Sequence, residues 1–277
     1  MSALSRSLDV LRLFNESRSD WTVPDIAQAL NVPSSTVYRR VRELVAANFL
    51  EPAQEGHYRL GAAFIEFDRL IRLTDPLVRL GAALLRDVAV QARIPCVAVL
   101  GRLYGDTVMC VADERSPGAS IQTSYERGRP RPLTRGATSK AILAQLRTRR
   151  LNKLLSSAEF PDRDRPFSMS EAEFREELAA IRRRGYSITR GEVDRGLVGL
   201  AVPVPVPSEA LIASLSLVVK ATDLDESIER RLVLLLVSSA SLLVESLRSD
   251  EPKPASEQTR DWNQHSKKAV GAGVHEN

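Results

Sequence analysis

Histidine is scarce in this 277-residue chain, which has three: His57, His265 and His275. None stands between residues 58 and 264, so a Ser-His-Asp or Cys-His nucleophilic site cannot be assembled there, and a zinc site would lack its usual nitrogen ligands. The two cysteines, Cys96 and Cys110, are too few for a disulfide framework or a four-cysteine zinc site. Both lie in apolar, strand-like runs and read as buried structural thiols. There is no G-x-x-x-x-G-K-[ST] phosphate loop and no G-x-G-x-x-G turn. No apolar run approaches the roughly 18 residues that span a bilayer. The opening MSALSRSLDVLRLF lacks the small-residue cleavage site of a signal peptide. The expectation is a soluble cytoplasmic protein, not an enzyme, with no cofactor, no metal and no membrane; a carboxylate-only hydrolase is not excluded, but nothing points to it.

What is present is enough apolar residue, 43% of the chain, for two cores, and at about 150 residues per domain the length predicts two domains. The formal net charge of +4 is unevenly spread. Residues 1–60 hold seven basic and seven acidic side chains, whereas residues 127–150 hold eight basic side chains (Arg127, Arg129, Arg131, Arg135, Lys140, Arg147, Arg149, Arg150) and no acid. Distribution, more than the sum, indicates where an anionic partner is drawn.

The first 60 residues read as three short helices and a hairpin. Ser5 caps a helix bearing Leu8, Val10, Leu11 and Phe14. Thr22 precedes Val23-Pro24-Asp25 and a short helix with Ile26, Ala27 and Leu30 inward. After the Asn31-Val32-Pro33 turn, Ser34-Ser35-Thr36 opens a third helix with Val37, Val41, Leu44 and Val45 on one face and Ser35, Tyr38, Arg39 and Arg42 opposite. Residues 49–51 and 57–60 flank Gln54-Glu55-Gly56, a hairpin signal. This is the order of a winged helix-turn-helix, whose recognition helix enters the major groove of duplex DNA. Ser34, Ser35 and Thr36 suit phosphates or bases, and Tyr38, Arg39 and Arg42 reach further. The alternative is a three-helix core with solvated arginines; turn spacing and polar face together favour DNA binding.

The segment SRSLDVLRLFNESRSDWTVPDIAQALNVPSSTVYRRVRELVAANFLEPAQEGHYRLG resembles the DNA-binding domain of the IclR family of bacterial transcription regulators. The tyrosine-arginine pair of the third helix and the wing ending in Tyr-Arg-Leu-Gly carry the likeness, which adds His57 and Arg59 of the wing to the implied DNA contacts. The resemblance implies a GAF/profilin-like effector domain with an antiparallel sheet flanked by helices.

The rest of the chain agrees with that order. Residues 61–73 read as a connecting helix with Phe64, Phe67, Leu70 and Ile71 at helical spacing, and Asp75-Pro76 starts another that stops before Pro95. Strands are predicted at 96–103, 107–113 and 121–125. An extended proline-rich loop then leads into a helix capped by Thr138 or Ser139. Ser170-Glu171-Ala172-Glu173 fits a capping box, with a stop at Gly185. Apolar runs at 186–189, 197–206 and 211–219 follow, the middle one an edge or a strand that leaves the sheet because of Pro203, Pro205 and Pro207. A helix over 225–247 closes the domain. The fold class is α+β, with domains at 1–61 (winged helix-turn-helix), 62–74 (linker helix) and 75–249 (effector binding and oligomerisation), then a disordered tail at 250–277.

The junction Arg135-Gly136-Ala137-Thr138-Ser139 has the makings of an anion site: helix-start N–H groups, a glycine permitting close approach and two hydroxyls. The alternative is an ordinary capped helix with solvated arginines. PLTRGATSKAILA resembles the loop over which IclR-family domains hold small carboxylates. The same resemblance places Thr189, Gly199, Ser216 and Val218 on the far wall, where the family often has an acid, a cysteine and a second serine-like residue. The implied pocket is less polar than that pattern and suits an apolar or aromatic acid. The function implied is a ligand-responsive regulator binding double-stranded operator DNA as a homodimer or homotetramer and sensing a small organic carboxylate. The alternative is a constitutive DNA-binding protein whose second domain only oligomerises.

Overall fold

A computed structural model describes residues 3–156, 169–205 and 212–250. The chain forms two compact units, Met1–Asp75 and Pro76–Asn277.

In the first unit α1 (Ala3–Leu11), α2 (Val23–Leu30) and α3 (Ser34–Ala46) enclose Val10, Ile26, Val37, Val41, Leu44 and Leu50. Thr22 caps α2, its hydroxyl accepting the Asp25 N–H at 3.3 Å, a contact worth about 1 kcal/mol. Asn31, left-handed at φ 53°, ends the helix. Ser5 lies inside α1, which starts at Ala3, so it is not the expected cap. The hairpin strands β2 (Leu50–Pro52) and β3 (His57–Leu60) are joined by a third strand that the periodicity does not signal, β1 (Asp20–Thr22), giving an antiparallel sheet in the order β1-β3-β2. The glycine of Tyr-Arg-Leu-Gly is required by packing, because a Cβ on Gly61 would stand 2.3 Å from the Asn48 carbonyl oxygen. Helix α4 (Ala63–Thr74) begins against this core, with Phe64 and Phe67 ring centroids 5.5 and 5.8 Å from that of Phe49.

The second unit is a six-stranded antiparallel sheet in the order β6-β5-β4-β9-β8-β7. In chain order its elements are α5 (Pro76–Gln91), β4 (Cys96–Tyr104), β5 (Thr107–Arg115), β6 (Pro130–Pro132), α6 (Ala137–Leu143), α7 (Thr148–Leu155), α8 (Glu171–Arg184), β7 (Ser187–Arg190), β8 (Leu197–Pro205), β9 (Ile212–Lys220) and α9 (Glu226–Asp250). The central strands β4 and β9 are buried on both faces, hence their almost continuous apolar sequence. Leu215, Leu217 and Val219 of β9 join α5 and α9 in one core. Ser214 and Ser216 alternate with them and meet α6. A further layer of α6, α7 and α8 is built on Ile142, Leu151 and the fully buried Phe174. Burial, with the nearby Asp113 charge, pushes the Cys110 thiol up to about 12, and Cys96 is likewise buried and raised.

Several expectations are corrected here. Residues 121–125 alternate between buried and open like a strand but pair with none. Ile121 and Tyr125 enter the core while the Asp194 carboxylate holds Thr123 and Ser124, so a side chain does the work of a ladder. The proline-rich stretch supplies the edge strand β6 instead, a position where a missing N–H costs nothing. Strand β8 is internal, yet β7 pairs only with Val198–Ala201, so Pro203 and Pro205 sit where that side of β8 has no partner. Helix α6 starts at Ala137 after Gly136 at φ 85°, so neither Thr138 nor Ser139 is its cap; both lie buried in its first turn. The capping box at Ser170 and Glu173 and the left-handed Gly185 are present. Helix α9 is, among the described residues, the one helix long and apolar enough to cross a membrane, by length and composition only. Scattered charges and serines hid this as an apolar run, and its Leu232, Leu236, Ala240, Leu243 and Leu247 pack into the core. It runs on to Asp250, which binds Arg79 at 2.6 and 2.7 Å, so residue 250 is helical. The remainder of the expected tail, 251–277, and the run ends at Val206 and Leu211 lie outside the described residues.

Candidate functional site

Helix α3 buries Val37, Arg40, Val41 and Leu44. The opposite face carries Ser35, Tyr38, Arg39 and Arg42, all exposed and spaced i, i+3, i+4, i+7, with Ser34 exposed and Thr36 half-buried at its start. The Arg42 guanidinium carbon stands 6.0 Å from the Tyr38 ring centroid, so the ring orients the cation along the helix surface. On the wing, His57 is half-buried with Nδ1 3.2 Å from the Gln54 carbonyl oxygen. Arg59 is held by Glu51 across the hairpin at 2.5 Å, so its charge is already half-answered within the chain.

In the second unit the backbone brings Gly136, Ala137 and Thr138 together with Thr189, Gly199 and Val218 around a cavity of about 20 Å³ between α6 and the sheet, room for about one water. The close approach depends on Gly199, whose Cβ would lie 3.2 Å from that of Ala137. Three sequence-predicted residues do not line it. Ser216 is fully buried behind Thr138, its hydroxyl 2.9 Å from Thr138 Oγ1 and donating to the Val99 carbonyl at 3.3 Å. Ser139 is fully buried in the first turn of α6, and Arg135 is half-buried outside the lining.

What the sequence reading missed is the loop between β7 and β8. Glu192 reaches back to the junction, Oε2 accepting the Gly136 N–H at 3.0 Å and Oε1 the Lys140 ammonium at 2.7 Å. Lys140 is fully buried and also donates to both Glu177 oxygens, at 2.9 and 3.0 Å. Asp194 accepts from Thr123 Oγ1, Ser124 N and Ser124 Oγ at 2.9, 2.9 and 2.5 Å. Burial alone would raise the pKa of Asp194, but the Ser124 and Thr123 hydrogen bonds and the Arg131 charge outweigh it and leave the carboxyl lowered. Between them Val193 covers Gly136, with Tyr125 on the other side. The cavity is therefore more polar than expected; two acids two residues apart in the glycine-flanked GEVDRG are the signal that could have found it. The arginine excess is divided: Arg131 stands 5.9 Å from the Tyr125 ring centroid, whereas Arg150 lies on α7 and donates to the Gly105 carbonyl at 3.3 Å. A cavity of about 470 Å³, an open groove between the end of β8 and α9, holds none of the predicted residues.

Comparison with known proteins joins these two surfaces. The IclR helix-turn-helix domain matches residues 3–53, and the bacterial transcriptional regulator IclR C-terminal domain matches residues 82–243. The HTH-type transcriptional regulator BhcR of Paracoccus denitrificans is 30% identical over 211 residues, 73% of this chain and 71% of that protein. The crystal structure of an IclR transcriptional regulator from Alicyclobacillus acidocaldarius is 25% identical, with a TM-score of 0.71 over 88% of this chain and 96% of that one. That of an IclR homologue from Microbacterium hydrocarbonoxydans, complexed with 4-hydroxybenzoate, shares the fold at 24% identity and a TM-score of 0.70, covering 90% of this chain and all 100% of that one. With α3 inside the first match and the cavity inside the second, the chain belongs to the IclR family of transcription regulators, which are DNA-binding proteins and not enzymes.

Proposed function

We propose that this regulator binds operator duplex through the exposed face of α3, with Ser34 to Thr36 on phosphates or base edges and Tyr38, Arg39 and Arg42 reaching further, and that a small organic carboxylate entering the α6 cavity alters that binding. The observation that carries the second half is the carboxylate already there, since Glu192 sits on the Gly136 N–H and on Lys140. A site that satisfies one carboxylate offers the same donors to another. Because the cavity holds about one water, an effector must displace the 191–196 loop, and its body would then lie against Thr189, Gly199 and Val218. A protein acting on chromosomal DNA works in the cytoplasm.

The tightness of the cavity also favours the second reading, a constitutive DNA-binding protein whose second unit only assembles. Melting of the full chain with a panel of keto, aliphatic and aromatic monocarboxylates, 4-hydroxybenzoate among them, separates the two. An effector at a hundred times its Kd adds about 2.7 kcal/mol to stability and changes operator affinity. No shift and no change with any acid would leave the constitutive reading standing.

Two-fold symmetry is the usual route from one short recognition helix to a site of useful length, and we propose a homodimer or homotetramer. Helix α4 leaves Ile65 (76% exposed) and Leu73 (53%) uncovered even though Phe64 and Phe67 pack on Phe49, which suits an assembly surface. Light scattering is expected to return at least twice the chain mass with and without DNA; a monomer in both conditions would sink this.

A further inference from the structure

We infer that Glu192 is a built-in competitor of the effector: its carboxylate occupies the anion site at the start of α6, and an effector's carboxylate takes over the same two donors as Glu192 swings out. This rests on the reading above that a carboxylate enters this cavity, and adds how entry is regulated. Glu192 is placed as a ligand would be. It comes from 56 residues along the chain and sets one oxygen on the Gly136 N–H at 3.0 Å and the other on the Lys140 ammonium at 2.7 Å, charge-assisted bonds of the kind that a bound carboxylate makes. Charge makes the event an exchange and not an addition. The buried Lys140 ammonium also serves Glu177, so a third carboxylate would put three anions around one cation, whereas replacing Glu192 leaves the local charge unchanged. The loop is built to let go at one end. Gly191 at φ 67° and Gly196 at φ 79° bound it, and a Cβ at either would meet no atom within 4 Å, so these are glycines for their backbone conformation and not for space. Glu192 is 23% exposed and already has a path to water. Asp194, with three hydrogen bonds to Thr123 and Ser124, anchors the far half. Lifting Glu192 and Val193 therefore uncovers Gly136, against which Val193 packs, while the Asp194 latch stays closed.

The test is Glu192→Ala in the full-length protein, with acetate, the fragment that the substitution excises, and benzoate as small and large carboxylate probes. By calorimetry both are expected to bind the variant about ten- to a hundredfold more tightly than wild type, the range of one hydrogen bond to a charged group, because wild-type affinity is reduced by the fraction of molecules in which Glu192 has left. Acetate is also expected to raise the variant's melting temperature by more than the wild type's. Glu192→Gln keeps the length of the side chain and loses its charge; it should gain less, and it carries the test if the alanine variant does not fold. A silent wild type beside a variant that binds is the extreme of the same result. Equal or weaker binding in the variants, with the wild type binding, overturns the competition and spares the carboxylate reading. Silence of wild type and variants alike, to both probes and to the whole acid panel, overturns the carboxylate reading, and this inference with it.

Discussion

Replacing Lys140 by methionine is expected to destabilise the second unit by about 2–4 kcal/mol, somewhat below the cost of opening a fully enclosed ion pair because its partners keep some water. The ammonium is fully buried, whereas Glu177 and Glu192 are 22% and 23% exposed. Methionine keeps much of the aliphatic length that runs toward the Phe174 ring, so the change removes charge more than volume. What remains is two carboxylates facing each other with no cation between them. Glu192 would then hold only the Gly136 N–H, and the 191–196 loop would loosen from α6. Denaturant unfolding of wild type, Lys140→Met and Glu177→Gln checks this: the glutamine variant keeps the Lys140–Glu192 contact and should lose less. A methionine variant within about 0.5 kcal/mol of wild type, the scatter of ordinary surface changes, would mean that the cluster contributes nothing to holding the loop.

The second large effect is on DNA. Arg39→Ala and Arg42→Ala are each expected to weaken binding by about 1–3 kcal/mol if the guanidinium is bidentate to guanine, and about the sum if the two act independently. A phosphate contact would instead weaken all sequences alike and lower the salt slope by about one. The exposed spacing of these side chains makes both variants silent in folding, unlike Arg40, which is 7% exposed on the inner face of the same helix. Arg59→Ala should cost less than either, since Glu51 already occupies its guanidinium. Anisotropy titrations at two salt concentrations, on a duplex selected by the wild-type protein from a random pool, distinguish these outcomes. If both α3 variants bind that duplex as wild type does, the recognition face has been misassigned.

The contrast between these two predictions follows how far apart in the chain the cooperating residues lie. The outward face of α3 was legible in the sequence because a helix repeats every 3.6 residues: once Val37, Val41 and Leu44 are inward, Ser35, Tyr38, Arg39 and Arg42 must be outward, whatever the rest of the chain does. The Thr22 cap, the Ser170–Glu173 box and the Gly185 stop are equally local, each completed within a few residues. Residues 20–22 were not legible as a strand, because three residues carry no period and become one only through Trp21 opposite Tyr58. The cavity is the extreme case. The glycine-led junction could be read as a place for an anion, but its present anion is Glu192, 56 residues on, and the loop is latched by Asp194 on Thr123, 71 residues back. No local pattern encodes such pairings; they exist because the antiparallel β8–β9–β4 core fixes α6 and the β7–β8 loop over the same patch of sheet. The same packing hid Ser216 behind Thr138 and set Tyr125 against the cavity. Sequence alone thus determined the family, the outward face of α3 and the place of the junction, and tertiary structure decided which side chains line the cavity, because burial and hydrogen-bond satisfaction depend on neighbours that only the fold brings together.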